Sequence, residues 1–118
     1  MAEETTLGKI EVSPLAIATI ASRAVLECYG VVGMASSSLR HGLAELLNPD
    51  HSRRGVEVEL QGERIVIDLY LVLEYGVRIS EVAHNVMESV KFNVERVVGI
   101  PVAQVNVHVQ GLRVSPAD

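Results

Sequence analysis

The sequence is poor in aromatic residues, cysteine and positive charge. Its 118 residues include three Tyr, one Phe and no Trp, so its hydrophobic fraction of 48% consists mainly of aliphatic side chains. Ten Lys and Arg stand against 15 Asp and Glu, which gives a formal net charge of −5. Because a nonspecific nucleic-acid binder needs a cationic surface and usually aromatic stacking platforms, this composition argues against that class of protein.

A single cysteine, Cys28, excludes an intramolecular disulfide and is typical of a protein from a reducing compartment. The N-terminus is polar and acidic, unlike a secretory signal, and no apolar run reaches the roughly 18 residues that a spanning helix needs. The longest apolar run, 65–73, is interrupted by Asp68. We therefore expect a cytoplasmic domain whose membrane association, if any, is peripheral or indirect.

Two helices are predicted from end signals and apolar periodicity. Ser13-Pro14 marks the start of the first helix, which is expected to reach about Tyr29 before Gly30. Ser80 is the expected N-cap of the second helix, which closes at Gly99. Its predicted buried stripe consists of Val82, Val86, Val90, Val94 and Val97, with Ala83 and Met87 beside them.

Alternation of apolar and polar residues predicts the strands. These are a half-buried strand at 8–12, a hairpin of 56–61 and 64–75, and a last strand at 102–109. A short helix is expected at 39–47. The core order β-α-β-β-α-β indicates an α+β two-layer sandwich, with both main helices on one face of a mixed sheet, of ferredoxin-like or related topology. The predicted organisation is a flexible tail at 1–7, one domain at 8–114 and a flexible end at 115–118.

Three stretches of the chain, taken in order, resemble the alkaline shock protein family, also called the envelope stress response family, of mainly Gram-positive bacteria. They are GKIEVSP with GVVGM, in 8–34; IVIDLY with EYGV, in 65–77; and VNVHVQG, in 105–111. The resemblance covers nearly the whole chain.

The resemblance implies a domain without an established enzymatic activity, cofactor or catalytic residue set. In that family, membrane contact is made through a separate membrane-anchored partner. The chain is accordingly expected to be a non-enzymatic interaction or scaffold domain linked to envelope stress and homeostasis. We expect it to act by self-association into a homo-oligomer or by docking to a membrane-anchored protein.

Metal and nucleophile chemistry receive little support from the residue spacing. The four histidines, His41, His51, His84 and His108, lack the H-x-x-x-H spacing of a metal site, so no metal ligands are assigned. Cys28 projects into the apolar arc of the first helix and is interpreted as a buried thiol.

An RNA-binding module is the alternative function. Gly30 and Gly33 match the G-x-x-G loop of KH-type RNA binders, and Arg40, Arg53 and Arg54 supply a local positive patch. The two central positions of the loop are valines rather than basic residues, and the simpler interpretation is that the arginines solubilise a loop.

Apolar residues at positions expected to face solvent suggest protein contacts. The candidates are Phe92, Leu15, Leu26, Tyr70 and Val72. A polar ladder of Asn106, His108 and Gln110 is expected on the outward face of the last strand. Asp68 marks an open sheet face if it is exposed; if it is buried it needs a partner, for which Arg78 and Arg113 are candidates.

Overall fold

In the computed structural model, which describes residues 2–35, 52–53 and 55–114, a long central strand organises the main sheet. The strands are β1 Ala2–Thr5, β2 Gly8–Glu11, β3 Val31–Met34, β4 Ser52–Arg53, β5 Val56–Gln61, β6 Arg64–Glu74 and β7 Val102–Arg113. The helices are α1 Pro14–Leu26 and α2 Ile79–Val98. The short helix predicted at 39–47 lies outside the described residues, as do His41, His51 and the end at 115–118.

Strand β6 pairs along both of its edges. On one edge it runs parallel to β7, from Ile65 to Glu74. On the other edge, β5 and then β3 follow one another along β6, both antiparallel to it, and β4 extends the sheet beyond β5. The mixed sheet and the hairpin of β5 and β6 are confirmed, and both helices pack on one face of the sheet.

The first predicted strand does not join this sheet. Strand β2 pairs with β1 in a separate two-stranded hairpin, and all four of its residues are exposed, so the expected half-buried strand at 8–12 is wrong. The alternation of Lys9, Ile10 and Glu11 resembles that of a half-buried strand, although no described element covers Ile10. Residues 2–5 of the predicted tail form β1, and Thr5 Oγ1 accepts the N–H groups of Leu7 and Gly8 in the turn.

Helix α1 begins as predicted and ends earlier than predicted. Ser13 caps it by accepting the N–H of Ala16 at 3.2 Å, and Pro14 occupies the first turn. The last turn tightens where Glu27 N–H donates to the Ala24 carbonyl, and the helix ends at Leu26 rather than at about Tyr29. Small residues on its buried face, including Ala18 and Ala21, allow the helix to approach the sheet closely.

Helix α2 differs from its prediction at its first residue and in the extent of its buried stripe. It begins at Ile79 after Arg78, so Ser80 is not its N-cap, and it ends at Gly99 with a left-handed φ of 80°. The first four valines of the predicted stripe are buried, whereas Met87 and Val97 are exposed. At about 100° per residue Met87 lies at the margin of the arc that these four valines define, and Val97, within that arc, lies in the last turn of the helix. Neither described helix is long and apolar enough to cross a membrane.

The core lies between the helices and one face of the sheet. Five alternate residues of β6 are completely buried there: Ile65, Ile67, Leu69, Leu71 and Leu73. Each such side chain contributes about 1.5–3 kcal/mol through burial. This aliphatic layer fixes the position of β6 and therefore the position of the side chains on its opposite face.

Candidate functional site

The outer face of the sheet, the face turned away from the helices, carries the candidate site. Along β6 this face carries Val66, Asp68, Tyr70, Val72 and Glu74, because side chains alternate along a strand. Val66 is buried, and the other four are half-buried. No described helix packs against it. We use the name outer face for these residues and their partners on β3, β5 and β7.

A polar network lies at the centre of the outer face. Asp68 Oδ1 accepts a hydrogen bond from Asn106 Nδ2 at 3.2 Å and lies 3.0 Å from His108 Nε2. The His108 ring stacks on Tyr70 with a centroid distance of 4.5 Å and an interplanar angle of 11°. The side chains of Asp68 and His108 are 26% and 41% exposed. This network is half-buried and locked by its own contacts.

The structure shows both the exposure and the partners of Asp68, which the sequence left open. The carboxylate is neither buried nor fully solvated, and its recorded partners are His108 and Asn106 rather than Arg78 or Arg113. Arg78 instead lies 3.6 Å from Glu81. Strand register produces the arrangement, because Asn106 is paired with Asp68 and His108 with Tyr70.

An apolar hollow adjoins the network. Val72 is paired with Gly33 on β3 and with Gly111 on β7, so neither neighbouring strand covers it with a side chain. A Cβ on Gly33 would meet nothing within 4 Å, and one on Gly111 would lie 4.0 Å from Val72 Cγ2. We call the space over Val72 between these glycines the Val72 hollow.

Backbone geometry does not require glycine at either side of the hollow. Gly33 and Gly111 lie outside the left-handed region, unlike Gly55, whose φ is +75°. At Gly55 a Cβ would also lie 2.7 Å from two backbone oxygens. Both hollow glycines adjoin register shifts of the sheet, where glycine often allows another group to approach the strand closely.

The structure divides the predicted contact residues between two surfaces. Tyr70 and Val72 come together with Asn106 and His108 on the outer face, and Gln110 lies at the register shift next to Gly111. Leu15, Leu26 and Phe92 are exposed on the helix layer. Leu15 and Leu26 stand near opposite ends of α1, and the guanidinium of Arg96 lies 5.9 Å from the Phe92 ring centroid. The helix layer therefore offers scattered apolar residues.

Two exposed aromatic residues were missed in the sequence. Tyr29 is 86% and Tyr75 is 65% exposed, and the strands bring both to one end of the sheet. A shallow pocket of about 180 Å³ there is lined by Tyr29, Gly30, Val31, Val32, Glu74 and Val77. Each tyrosine is followed by a glycine, which is typical of a turn. This Tyr-Gly pair could have indicated exposure, because a tyrosine beside a turn has few neighbouring strand or helix residues to cover it.

Cys28 and the histidines were not assigned to a catalytic or metal site in the sequence. Cys28 is half-buried rather than buried as interpreted from the sequence, and its Sγ donates to the Ala24 carbonyl at 3.4 Å. The described residues contain no group of three or more His, Cys, Asp or Glu side chains placed to hold a metal.

The loop proposed for RNA contact leads into β3 rather than into a helix. Gly30 precedes the strand and Gly33 lies within it. Arg40, Arg54 and the side chain of Arg53 lie outside what the structure describes, so the RNA alternative stays a prediction.

Comparisons with known proteins identify relatives along nearly the whole chain. The model of the alkaline shock protein 23 family, described as having a cell envelope-related function, matches residues 2–114. The uncharacterized protein YloU of Bacillus subtilis (strain 168) is 46% identical over 112 residues, 94% of this chain and 93% of the relative. The uncharacterized protein Spy1614 of Streptococcus pyogenes serotype M6 is 43% identical over 108 residues, 91% of this chain and 89% of that protein.

A solved structure shares the fold. It is a variant of the MamM CTD, with a TM-score of 0.51 and 15% sequence identity, and the match covers 82% of this chain and 95% of that chain. At this identity the likeness concerns the α+β architecture alone.

Proposed function

The chain belongs to the alkaline shock protein 23 family, and on that premise we propose that it is a non-enzymatic docking domain whose outer face binds a protein partner. The observation that carries the proposal is the Val72 hollow beside the locked network of Asp68, Asn106, His108 and Tyr70. The family's described envelope-related function supports a partner at the cell envelope, and a membrane-anchored protein is the partner we propose.

The outer face has the properties of a protein-binding surface. Interfaces favour aromatic anchors and an apolar centre within a polar rim, and here Tyr70 and Val72 are flanked by amide and carboxylate side chains. Asp68 Oδ1 and His108 Nε2 are already paired with each other, so a partner that covers these two atoms does not leave them unsatisfied. Because these side chains are already ordered before binding, the entropic cost of binding a partner is reduced.

The hollow supplies a place for an anchor. A partner side chain can reach the Val72 surface between two glycines without displacing any group. Anchors that fill such hollows contribute most of the binding energy in protein interfaces. The helix layer has a groove of about 300 Å³ between α1 and α2, but most of its lining is polar or charged, including Arg23, Glu27 and Arg96. Its exposed leucines are separated, and Phe92 is flanked by Arg96.

Site-specific photo-crosslinking tests the proposal with two matched variants. The photoreactive residue p-azidophenylalanine replaces Tyr70 in one variant and Phe92 in the other, and each substitution retains an aromatic ring. After irradiation of native host cells, we expect a defined envelope protein to be joined to the variant labelled at position 70 and not to the one labelled at position 92. Equal yields at both positions, or none at position 70, would contradict the proposal. An RNA adduct at position 70 would favour the alternative function.

A further inference from the structure

The free edge of β7 presents an unused strand surface. Among the described residues β7, which runs from Val102 to Arg113, pairs with β6 alone, through ten of its twelve residues. Its opposite edge therefore carries backbone donors and acceptors without a strand partner. Natural proteins usually protect such edges with charges, proline or a covering element, because an open edge recruits another strand.

Among the described residues, two of the usual protections, charge and proline, are missing along this edge, and its two bulges, at Ala103 and Gln110, leave the regular segment 104–109 between them. The segment 102–112 contains no Asp, Glu, Lys, Arg or Pro. The contact at its beginning is local: Val102 N–H donates to Glu95 Oε2 at 2.8 Å, and Lys91 Nζ donates to the Val102 carbonyl at 3.0 Å. Beyond Val102 no such clamp is recorded for β7, and Ala103, Gln104 and Gln110 are exposed.

We infer that this edge binds the β7 strand of a second copy, antiparallel across a two-fold axis. An antiparallel pair of identical strands is self-complementary, because each copy presents the same donors and acceptors to the other. The uncharged strand lets two chains of net charge −5 approach there without local repulsion. The free edge of β7 is separate from the outer face, so pairing of two copies there does not depend on the proposed docking partner.

Helix α2 adds an apolar contact beside the edge. Met87 lies one turn before Lys91, the residue that reaches the start of β7, and it is exposed. It therefore lies on the flank of α2 that borders the free edge. Pairing of β7 would bring this flank of each copy towards its equivalent. The two sheets would form one continuous sheet with the helices on a common side and the two outer faces side by side.

The test is native mass of the purified chain, measured by sedimentation from low micromolar to near-millimolar concentration. We expect a monomer–dimer equilibrium for the unmodified chain. Gln104→Lys combined with Gln110→Lys should raise the dimer dissociation constant at least about tenfold, since four added charges meet at one edge. The control, Thr6→Lys with Asn85→Lys, adds the same charge at exposed positions away from β7 and should leave the constant unchanged. A monomer at every concentration, or a dimer untouched by the edge lysines, would overturn the inference.

Amide hydrogen exchange of the unmodified chain gives a second readout that no variant can confound. We expect exchange in 104–109 to slow as concentration rises, while exchange in the β1–β2 hairpin does not change. Exchange in 104–109 that is independent of concentration would contradict edge pairing. Because the outer face is not involved in edge pairing, Gly33→Leu should leave the native mass unchanged. Loss of partner crosslinking in that variant would bear on the proposed docking and not on edge pairing.

Discussion

The two faces of β6 differ although they belong to the same eleven residues. The inner face carries five aliphatic side chains, all completely buried against α1 and α2. The outer face alternates Val66, Asp68, Tyr70, Val72 and Glu74, a mixture that neither a packed core nor a fully hydrated surface favours. The inner face accounts for stability, and the outer face is the surface that we propose for recognition.

The outer face differs from a simple solvated surface in how its polar groups are used. Asp68, Asn106 and His108 are bonded to one another, and the His108 ring stacks on Tyr70. A hydrated strand face needs no such network, because water satisfies its side chains. Ordering these side chains in the network costs conformational entropy. That cost would be offset on binding, because a partner would meet side chains that are already ordered.

The largest expected difference between the faces appears at two adjacent residues. Leu71→Ala removes a completely buried side chain and should lower the free energy of unfolding by about 3 kcal/mol. Val72→Ala, on the outer face, should cost less than about 1 kcal/mol because little packing is lost. Urea unfolding of both variants measures the difference. Equal losses would mean that the outer face is covered as fully as the inner one.

Breaking the polar network should have an intermediate effect. Asp68→Ala leaves Asn106 and His108 without their shared acceptor and should cost about 1–2 kcal/mol. The control Asp68→Asn retains an acceptor oxygen and should lose less. Urea unfolding measures both variants, and an Asp68→Ala variant as stable as the unmodified chain would show that the network is not formed in solution.

The edge of the sheet should respond to pH separately from either face. The hydrogen bond from Lys91 and then that from the Val102 N–H hold the pKa of the Glu95 carboxyl below its ordinary value. The ionised carboxylate therefore stabilises the fold above the unfolded pKa of about 4.3, and this contribution is lost as pH falls through the lower folded pKa.

Glu95→Gln should remove this small pH-dependent part of the stability. Thermal unfolding as a function of pH should show that the unmodified chain has its advantage over the variant near neutrality and loses it in acid. A constant difference between the two chains across that range would contradict the role given to Glu95. The faces of β6 should not affect this result, since the clamp at Val102 lies at the start of β7.

Sequence patterns predicted the fold in the elements whose buried residues recur at a regular spacing along the chain. The alternation in β5 and β6 and the central valines of α2 were sufficient for the hairpin, the second helix and the aliphatic core. The β1–β2 hairpin was missed because alternation alone does not specify whether a strand joins the main sheet. Met87 was misplaced because it lies at the margin of the buried arc of α2, and Val97 because periodicity does not specify whether the last turn of a helix is covered.

The candidate site was predicted in part. Tyr70, Val72, Asn106 and His108 were identified from alternation, since a strand with one buried face must display the other residues. Their mutual arrangement depends on parallel pairing of β6 and β7, whose paired residues, such as Asp68 and Asn106, are far apart in the chain, and periodicity cannot specify this pairing. The same holds for the Val72 hollow, because Gly33 and Gly111 meet across two different strand pairs.

The most direct test of recognition at the outer face is the effect of Gly33→Leu on binding to the partner found by crosslinking. The added side chain enters open space at a residue without left-handed backbone, so the free energy of unfolding should change by less than about 0.5 kcal/mol. Filling the hollow should weaken binding at least about tenfold, measured by titration of the purified partner. Unchanged affinity in a variant of unchanged stability would contradict recognition at the outer face.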